Sequence, residues 1–208
     1  MSSRAVKPVV FLLCLGPLTF LIWWAFSGQL SANPLDDIAD QTGRWTLKFL
    51  FLTLAISPLR QITGWNSLIR FRRMLGLFAF FYSILHLMTY IVFVQFFNFP
   101  EILKDIAKRP FITAGMTAFV LMIPLAITST KKWIVRIGGK RWQQLHRLIY
   151  VSAVAGVVHF FWLVKLDIRW PVVYATILAV LLGFRIVNRL KHQGTNRSKT
   201  AVTGSRSV

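Results

Sequence analysis

Six long apolar runs constrain the fold of this 208-residue chain more than any other feature. An α-helix needs about 20 mainly apolar residues to cross the hydrocarbon core of a bilayer. Runs of roughly this length occupy residues 9–26, 45–62, 74–97, 111–130, 145–164 and 171–187. We therefore predict an all-α integral membrane protein that forms a bundle of six transmembrane helices.

The first apolar run has some features of a signal peptide, because Arg4 and Lys7 precede it. Its apolar stretch is longer than the roughly 7–15 residues usual for a signal, and no clear small-residue cleavage site follows. We expect a retained signal anchor. Cys14 is the single cysteine, so one chain cannot form a disulfide,.

The formal net charge of +19 is distributed unevenly between the two sides of the predicted bundle. If six spans alternate in direction, 18 of the 25 Lys and Arg residues lie on one side. All six acidic residues lie on the other side. The positive-inside rule then places the basic side, with both termini, in the cytoplasm. We attribute the charge to topology and contact with the lipid membrane, and expect no binding of nucleic acid.

Two loops on the outer side carry helix signals of their own. The segment SANPLDDIADQTGRW (residues 31–45) predicts a short surface helix that ends near Gly43,. The segment NFPEILKDIAKRPF (residues 98–111) predicts an amphipathic helix,. Loop packing and partner docking are both open for these helices. The second helix is predicted to carry two ion pairs: Glu101–Lys104 and Asp105–Arg109,.

We divide the chain into a six-helix membrane domain (residues 1–190) and a basic tail (residues 191–208) that we expect to be disordered and cytoplasmic,. His192 belongs to this tail and is excluded from the predicted site. Neither a dinucleotide fingerprint nor a phosphate-binding P-loop motif occurs in the sequence,. Electrons would therefore have to be delivered by another molecule, and we expect no attached dehydrogenase domain.

Three histidines lie in or at the edge of apolar runs, where an ionisable side chain is costly and usually functional,. His86 and His159 fall at similar depths on two spans that run in the same direction. They could supply the two axial ligands of a haem iron nearer the outer face. His146 lies 13 residues before His159, about 20 Å closer to the cytoplasm,. The alternative for each histidine is an ordinary hydrogen bond to a backbone carbonyl of a neighbouring helix.

The spacing between His146 and His159 raises a geometric problem. Thirteen residues of ideal helix turn the side-chain direction by about 220°, so the two histidines would not share a face,. Either the helix is locally overwound, or the two residues serve different neighbours.

Four segments of the chain carry a family resemblance: GRWTLKFLFLTLAISPLR, IRFRRMLGLFAFFYSILHL, RPFITAGMTAFVLMIPLAITST and GGKRWQQLHRLIYV. They closely resemble the haem-binding membrane subunit of the bacterial periplasmic methionine-sulfoxide reductase system, in the ferric-reductase-like transmembrane superfamily. The resemblance implies b-type haem, with FMN as a further cofactor. It also implies a place in the inner membrane, where electrons pass from the quinone pool or a cytosolic flavin reductase to a periplasmic molybdopterin-containing subunit.

The same resemblance implies that His86, His146 and His159 are haem-iron ligands. The NADPH oxidases of the same superfamily, which this chain resembles less well, carry a second histidine on the third span, where this chain has Arg72. The chain could therefore bind one haem or two. The inner site could hold a haem with a different sixth ligand, a haem with an open coordination position, or a flavin. A cluster of basic residues could hold the FMN phosphate, although lipid headgroups explain these charges equally well. Its members are Arg70, Arg72, Arg73, Lys140 and Arg141.

These features together predict a transmembrane electron conduit that docks its periplasmic partner on the acidic outer loops. Two rival hypotheses stay open at this point. One is a stand-alone reductase of ferric or other small molecules, and the other is a cofactor-free structural or transport bundle.

Overall fold

The computed structural model describes residues 3–164 and 167–204, with side chains described for residues 6–164 and 167–191. All regular secondary structure in these residues is helical. A 3-10 turn at Asn66–Leu68 precedes the third helix, and a π-helical segment at Thr89–Val94 follows it. The α-helices are α1 (Ser3–Phe26), α2 (Pro34–Thr63), α3 (Ile69–Met88), α4 (Phe99–Lys108), α5 (Pro110–Ile127), α6 (Lys131–Ile137), α7 (Gly139–Leu145), α8 (Leu148–Leu163) and α9 (Arg169–Gly204).

Five helical segments in the described part of the chain are long and apolar enough to cross a membrane. They are Val6–Phe26, Asn66–Val94, Pro110–Ile127, Gly139–Leu163 and Arg169–Lys191. These segments match five of the six predicted spans. The remaining predicted span, residues 45–62, lies within α2, so the count of six stays a prediction.

Helix α2 lies at the centre of the bundle and packs against α1, α3, α8 and α9. Leu50 and Leu54 are almost fully buried in the core. Phe49 stacks on Tyr82 of α3 with ring centres 5.2 Å apart. A helix covered by other helices presents little surface to lipid, which explains how α2 accommodates Lys48 near its middle and Arg60 in its last turn, both partly buried,.

The predicted short surface helix ending near Gly43 is wrong, because α2 continues without a break from Pro34 to Thr63. Pro34, Asp36 and Asp37 do occupy the first turn, where a fixed φ and negative charge favour a helix start,. The glycine that ends the helix is Gly64, which adopts φ 73° and donates its N–H to the Arg60 carbonyl,.

The second predicted surface helix is confirmed as α4. Both expected ion pairs form, with N–O distances of 3.0 Å for Lys104–Glu101 and 3.1 Å for Arg109–Asp105. Asp105 is buried, and it also accepts hydrogen bonds from Tyr90 (2.9 Å) and Gln95 (2.7 Å). These bonds attach α4 to the π-helical segment that follows α3.

A tyrosine hydroxyl connects α1 to α3. In a regular helix the Leu18 N–H would donate to the Cys14 carbonyl. Here the Tyr82 hydroxyl is inserted between them, because it donates to the Cys14 carbonyl and accepts from the Leu18 N–H, both at 3.0 Å. Pro17 lies within the same turn of α1. Cys14 is buried in this contact.

An arginine side chain connects α9 to α2 at a proline. Pro58 lies inside α2 and has no N–H, so it cannot donate to the Leu54 carbonyl four residues earlier,. The Arg185 guanidinium of α9 donates to this carbonyl instead. Arg185 also donates to the Leu181 carbonyl (3.2 Å) and lies over the Tyr150 ring. A cation in the bundle thus satisfies a backbone acceptor that lipid could not satisfy.

Helix α9 extends to Gly204, beyond its membrane-length segment. The predicted disorder of residues 191–208 stays a prediction, since residues 205–208 and all side chains after Lys191 lie outside the described part.

We predict that Arg185→Met lowers the free energy of unfolding by about 1–3 kcal/mol, because it leaves the Leu54 carbonyl without a donor. Thermal unfolding in detergent, followed by circular dichroism, measures the effect. The loss should be smaller in a Pro58→Ala background, where the alanine restores a backbone donor. Arg189→Met, at an exposed position one turn later, is the control. An equal loss with and without Pro58 would contradict this account.

Candidate functional site

His86 of α3 and His159 of α8 meet inside the bundle. Their ring centres lie 6.0 Å apart, and the ring planes are inclined by 75°. The sequence predicts that these two side chains lie at similar depth on parallel spans, and the structure brings them together.

A backbone carbonyl of a neighbouring helix fixes each of these rings. Nδ1 of His86 lies 2.9 Å from the Ala39 carbonyl oxygen of α2. Nδ1 of His159 lies 2.6 Å from the Phe111 carbonyl oxygen of α5. Because a carbonyl oxygen can only accept, both Nδ1 atoms carry the proton and donate it. Each Nε2 therefore keeps its lone pair, which is the form of histidine that binds a metal.

The separation of the two rings fits one metal ion between them. Metal–imidazole bonds are about 2.0–2.1 Å long, which places each ring centre about 3.1 Å from the metal. Two imidazoles on opposite sides of one ion then have centres about 6.2 Å apart. The observed 6.0 Å is close to this value. A pair of neutral imidazoles with this centre-to-centre distance is compatible with the ligand set of a six-coordinate haem iron,.

A protein-only metal site has less support. In the described residues, no group of three or more His, Cys, Asp and Glu side chains is placed to hold a metal ion. Two histidines would supply only two of the ligands that a metal ion needs. A porphyrin would supply four nitrogens, which together with two imidazoles complete a six-coordinate site.

His146 lies apart from this pair, at the end of α7 where the predicted fifth span is interrupted before α8 begins. The break removes the problem of the 13-residue spacing, because His146 and His159 lie on different helices and serve different neighbours. His146 stacks on Trp142 with ring centres 3.8 Å apart. The Trp142 indole in turn donates to the Thr128 carbonyl at 2.9 Å.

The His146 ring has the same protonation pattern as the other two. Its Nδ1 donates to the Trp142 carbonyl at 3.1 Å. Its Nε2 is the buried side-chain polar atom that has no hydrogen-bond partner in the described part of the chain. The Leu125 carbonyl also lies near the ring. A buried nitrogen with a free lone pair is costly unless a ligand takes it up.

Three of the five basic residues considered for the FMN phosphate are divided between two places. Arg70 and Arg73 line a groove of about 420 Å³ between α1 and α3, together with Lys7. Arg72 lies within electrostatic range of His146 and Arg185.

Sequence reasoning missed the groups that orient the two paired histidines. The acceptors are the backbone carbonyls of Ala39 and Phe111, and residue type gives no signal for a backbone group. Thr42 is also missed: it is buried, and its hydroxyl lies 3.4 Å from Nδ1 of His86. Only the packing of α2 on α3 and of α5 on α8 reveals these contacts.

Comparison with known proteins gives one family and many similar relatives. Residues 42–157 match the family described as "Ferric reductase like transmembrane component". The chain is 53% identical over 183 residues to the protein-methionine-sulfoxide reductase heme-binding subunit MsrQ of Herminiimonas arsenicoxydans, covering 87% of this chain and 84% of the relative. The MsrQ protein of Azospira oryzae is 51% identical over 91% of this chain and 82% of its own length.

A third relative extends the match over almost the whole chain. The MsrQ protein of Polaromonas naphthalenivorans is 48% identical over 202 residues, covering 96% of this chain and 92% of the relative. The similarity and the apolar helices identify a multi-pass protein of the bacterial inner membrane. The chain therefore belongs to the ferric-reductase-like transmembrane family and, within it, to the family of MsrQ heme-binding subunits.

Proposed function

We propose that this protein is a b-type haem electron-transfer subunit. It passes electrons from the quinone pool or a cytosolic flavin reductase to a periplasmic molybdopterin-containing methionine-sulfoxide reductase subunit, and so supports repair of oxidised periplasmic proteins. The names of the relatives support haem binding and a role in methionine-sulfoxide reduction. The observation that carries the proposal is the pair of neutral imidazoles with ring centres 6.0 Å apart.

The proposed roles of the residues follow from their hydrogen bonds. His86 and His159 would hold the iron through Nε2, and the carbonyls of Ala39 and Phe111 keep both rings in the tautomer that leaves Nε2 free,. Haem supplies one-electron transfer between ferric and ferrous iron. The surrounding helices cover most of each histidine, since both residues are only partly exposed.

His146 is proposed as an iron ligand of a second, inner haem. Its support is the buried Nε2 without a partner. Arg72 lies near it, and the other two histidines with described side chains, His86 and His159, form the separate pair. The inner iron would therefore have a different sixth ligand or an open position. FMN is proposed from the family resemblance alone, without assigned residues.

The proposed topology has six spans with both termini in the cytoplasm, which places the His86–His159 pair nearer the periplasm. The partner would then dock on the outer loops. Four of the six acidic residues in the chain form ion pairs: Asp40, Glu101, Asp105 and Asp167. Asp36 and Asp37 in the first turn of α2 instead accept hydrogen bonds from Asn33 and Ser31. Within the described part of the chain these two carboxylates form no ion pair, so they are available for charge pairing with a partner.

We predict that His86→Ala and His159→Ala each remove the absorbance of the six-coordinate b-type haem, because either change deletes one axial ligand. Optical spectra of the reduced and oxidised purified protein, with haem measured per polypeptide, provide the test. His192→Ala, in the tail, is the matched control. Wild-type spectra and full haem content in both variants would refute the pairing.

We predict that His146→Ala lowers the haem content per polypeptide but keeps the spectrum of the His86–His159 haem, because His146 occupies a separate site. Pyridine-haem quantitation measures the content. If His146→Ala retains the wild-type haem content, then His146 serves only to pack against Trp142.

One rival function is supported by the family description: a stand-alone reductase of ferric chelates. Rapid oxidation of the pre-reduced protein by ferric chelates alone, with slow oxidation by the molybdopterin-containing subunit, would favour it. A colourless protein from cells supplied with ample haem would instead favour a structural or transport bundle. Faster oxidation by the partner subunit than by ferric chelates is the result we expect.

A further inference from the structure

Two glycines lie against the two paired histidine rings, one on each of the helices that supply the carbonyl acceptors. Gly43 of α2 faces His86, and Gly115 of α5 faces His159. Each glycine follows its carbonyl by four residues, since the acceptors are Ala39 and Phe111. The same arrangement therefore occurs twice, on unrelated helices.

Helix geometry explains the four-residue spacing. The carbonyl of a helical residue points along the axis towards the N–H of the residue four positions later. The side chain of that later residue leans back towards the N-terminus and covers the same surface. A donor on another helix can thus reach the carbonyl most easily where the later residue has no Cβ.

The distances show how little room is available for a side chain at either glycine. A Cβ at Gly115 would lie 2.7 Å from Nδ1 and 3.0 Å from Cε1 of His159. A Cβ at Gly43 would lie 3.1 Å from Cε1 and 3.2 Å from Nδ1 of His86. In both cases the atom approached is part of the ring that donates to the carbonyl. An alanine at either position would push the ring away from its acceptor.

We propose that Gly43 and Gly115 are positioning residues for the two axial imidazoles. Each glycine opens a backbone carbonyl to the histidine Nδ1–H of a neighbouring helix, and so sets the ring orientation and the ligand strength of Nε2. A hydrogen bond from Nδ1 increases the electron density that the imidazole gives to the metal, which favours ferric over ferrous iron. The two glycines thereby hold the haem potential low. This inference rests on the proposed function, because it assumes iron between the rings.

If the two glycines had no role beyond helix structure, replacing them with alanine would be expected to stabilise the protein and leave the histidine rings in place. Glycine is a poor helix former compared with alanine, so an alanine in a helix interior normally stabilises the helix. Gly183 of α9 has open space around it and illustrates the ordinary case. A Cβ at Gly156 of α8 would approach a neighbour as closely as a Cβ at Gly43 would, but that neighbour is the flexible end of the Leu47 side chain.

The experiment compares Gly115→Ala and Gly43→Ala with two control variants, Gly183→Ala and Gly156→Ala, in the full-length purified protein. The readouts are the midpoint potential of the haem, its low-spin electron paramagnetic resonance signal, and the helix content by circular dichroism. We expect both test variants to shift the midpoint potential to more positive values and to change the resonance signal. The shift should be larger for Gly115→Ala, whose added Cβ meets the shorter contact. Both controls should match the wild type.

The outcomes separate this inference from the proposed function. Loss of haem from Gly115→Ala with wild-type helix content would also support the positioning role, and Gly43→Ala then supplies the potential shift. Unchanged potentials and resonance signals in both test variants, with haem retained, would overturn the inference and leave the proposed function standing. Equal shifts in test and control variants would also overturn it. A wild-type protein without haem would refute the proposed function itself.

Discussion

The hydrogen bond from an imidazole Nδ1–H to a backbone carbonyl is the interaction on which the candidate site depends. It occurs from His86 to Ala39 and from His159 to Phe111. Each bond fixes one ring, selects one tautomer and leaves Nε2 free. Each bond also requires two helices to approach closely, and the packing of α2 on α3 and of α5 on α8 meets this requirement. The site is thus a consequence of helix pairing rather than of a local motif.

The rest of the bundle follows from the same constraint on backbone groups. Lipid offers no partner to a carbonyl or N–H that its own helix leaves free. Arg185 donates to the Leu54 carbonyl that Pro58 leaves without a donor, and Tyr82 bridges the opened ladder of α1 near Pro17. These side chains join α9 to α2 and α1 to α3. Interruptions of helix hydrogen bonding therefore become attachment points between helices.

The sequence allowed several features to be predicted because they depend on local pattern. Apolar runs located five of the membrane-length helices, and charge spacing predicted α4 with its two ion pairs. One prediction failed where a local signal was misleading. Gly43 suggests a helix stop, yet α2 continues through it. The fifth apolar run was located correctly, although its α-helix is interrupted at His146 and Arg147 near the start of the span.

By itself, the sequence determined the helical membrane class, the approximate spans and the histidines worth considering, because hydrophobicity and ionisable residues in apolar runs are visible along the chain. Tertiary structure alone decided which histidines meet, which carbonyls orient them and why Gly43 and Gly115 lie where they do. It also separated His146 from His159. The physical reason is that the histidines and the carbonyls that orient them are more than 40 positions apart in the chain. The acceptors are backbone atoms, which have no signature in residue type.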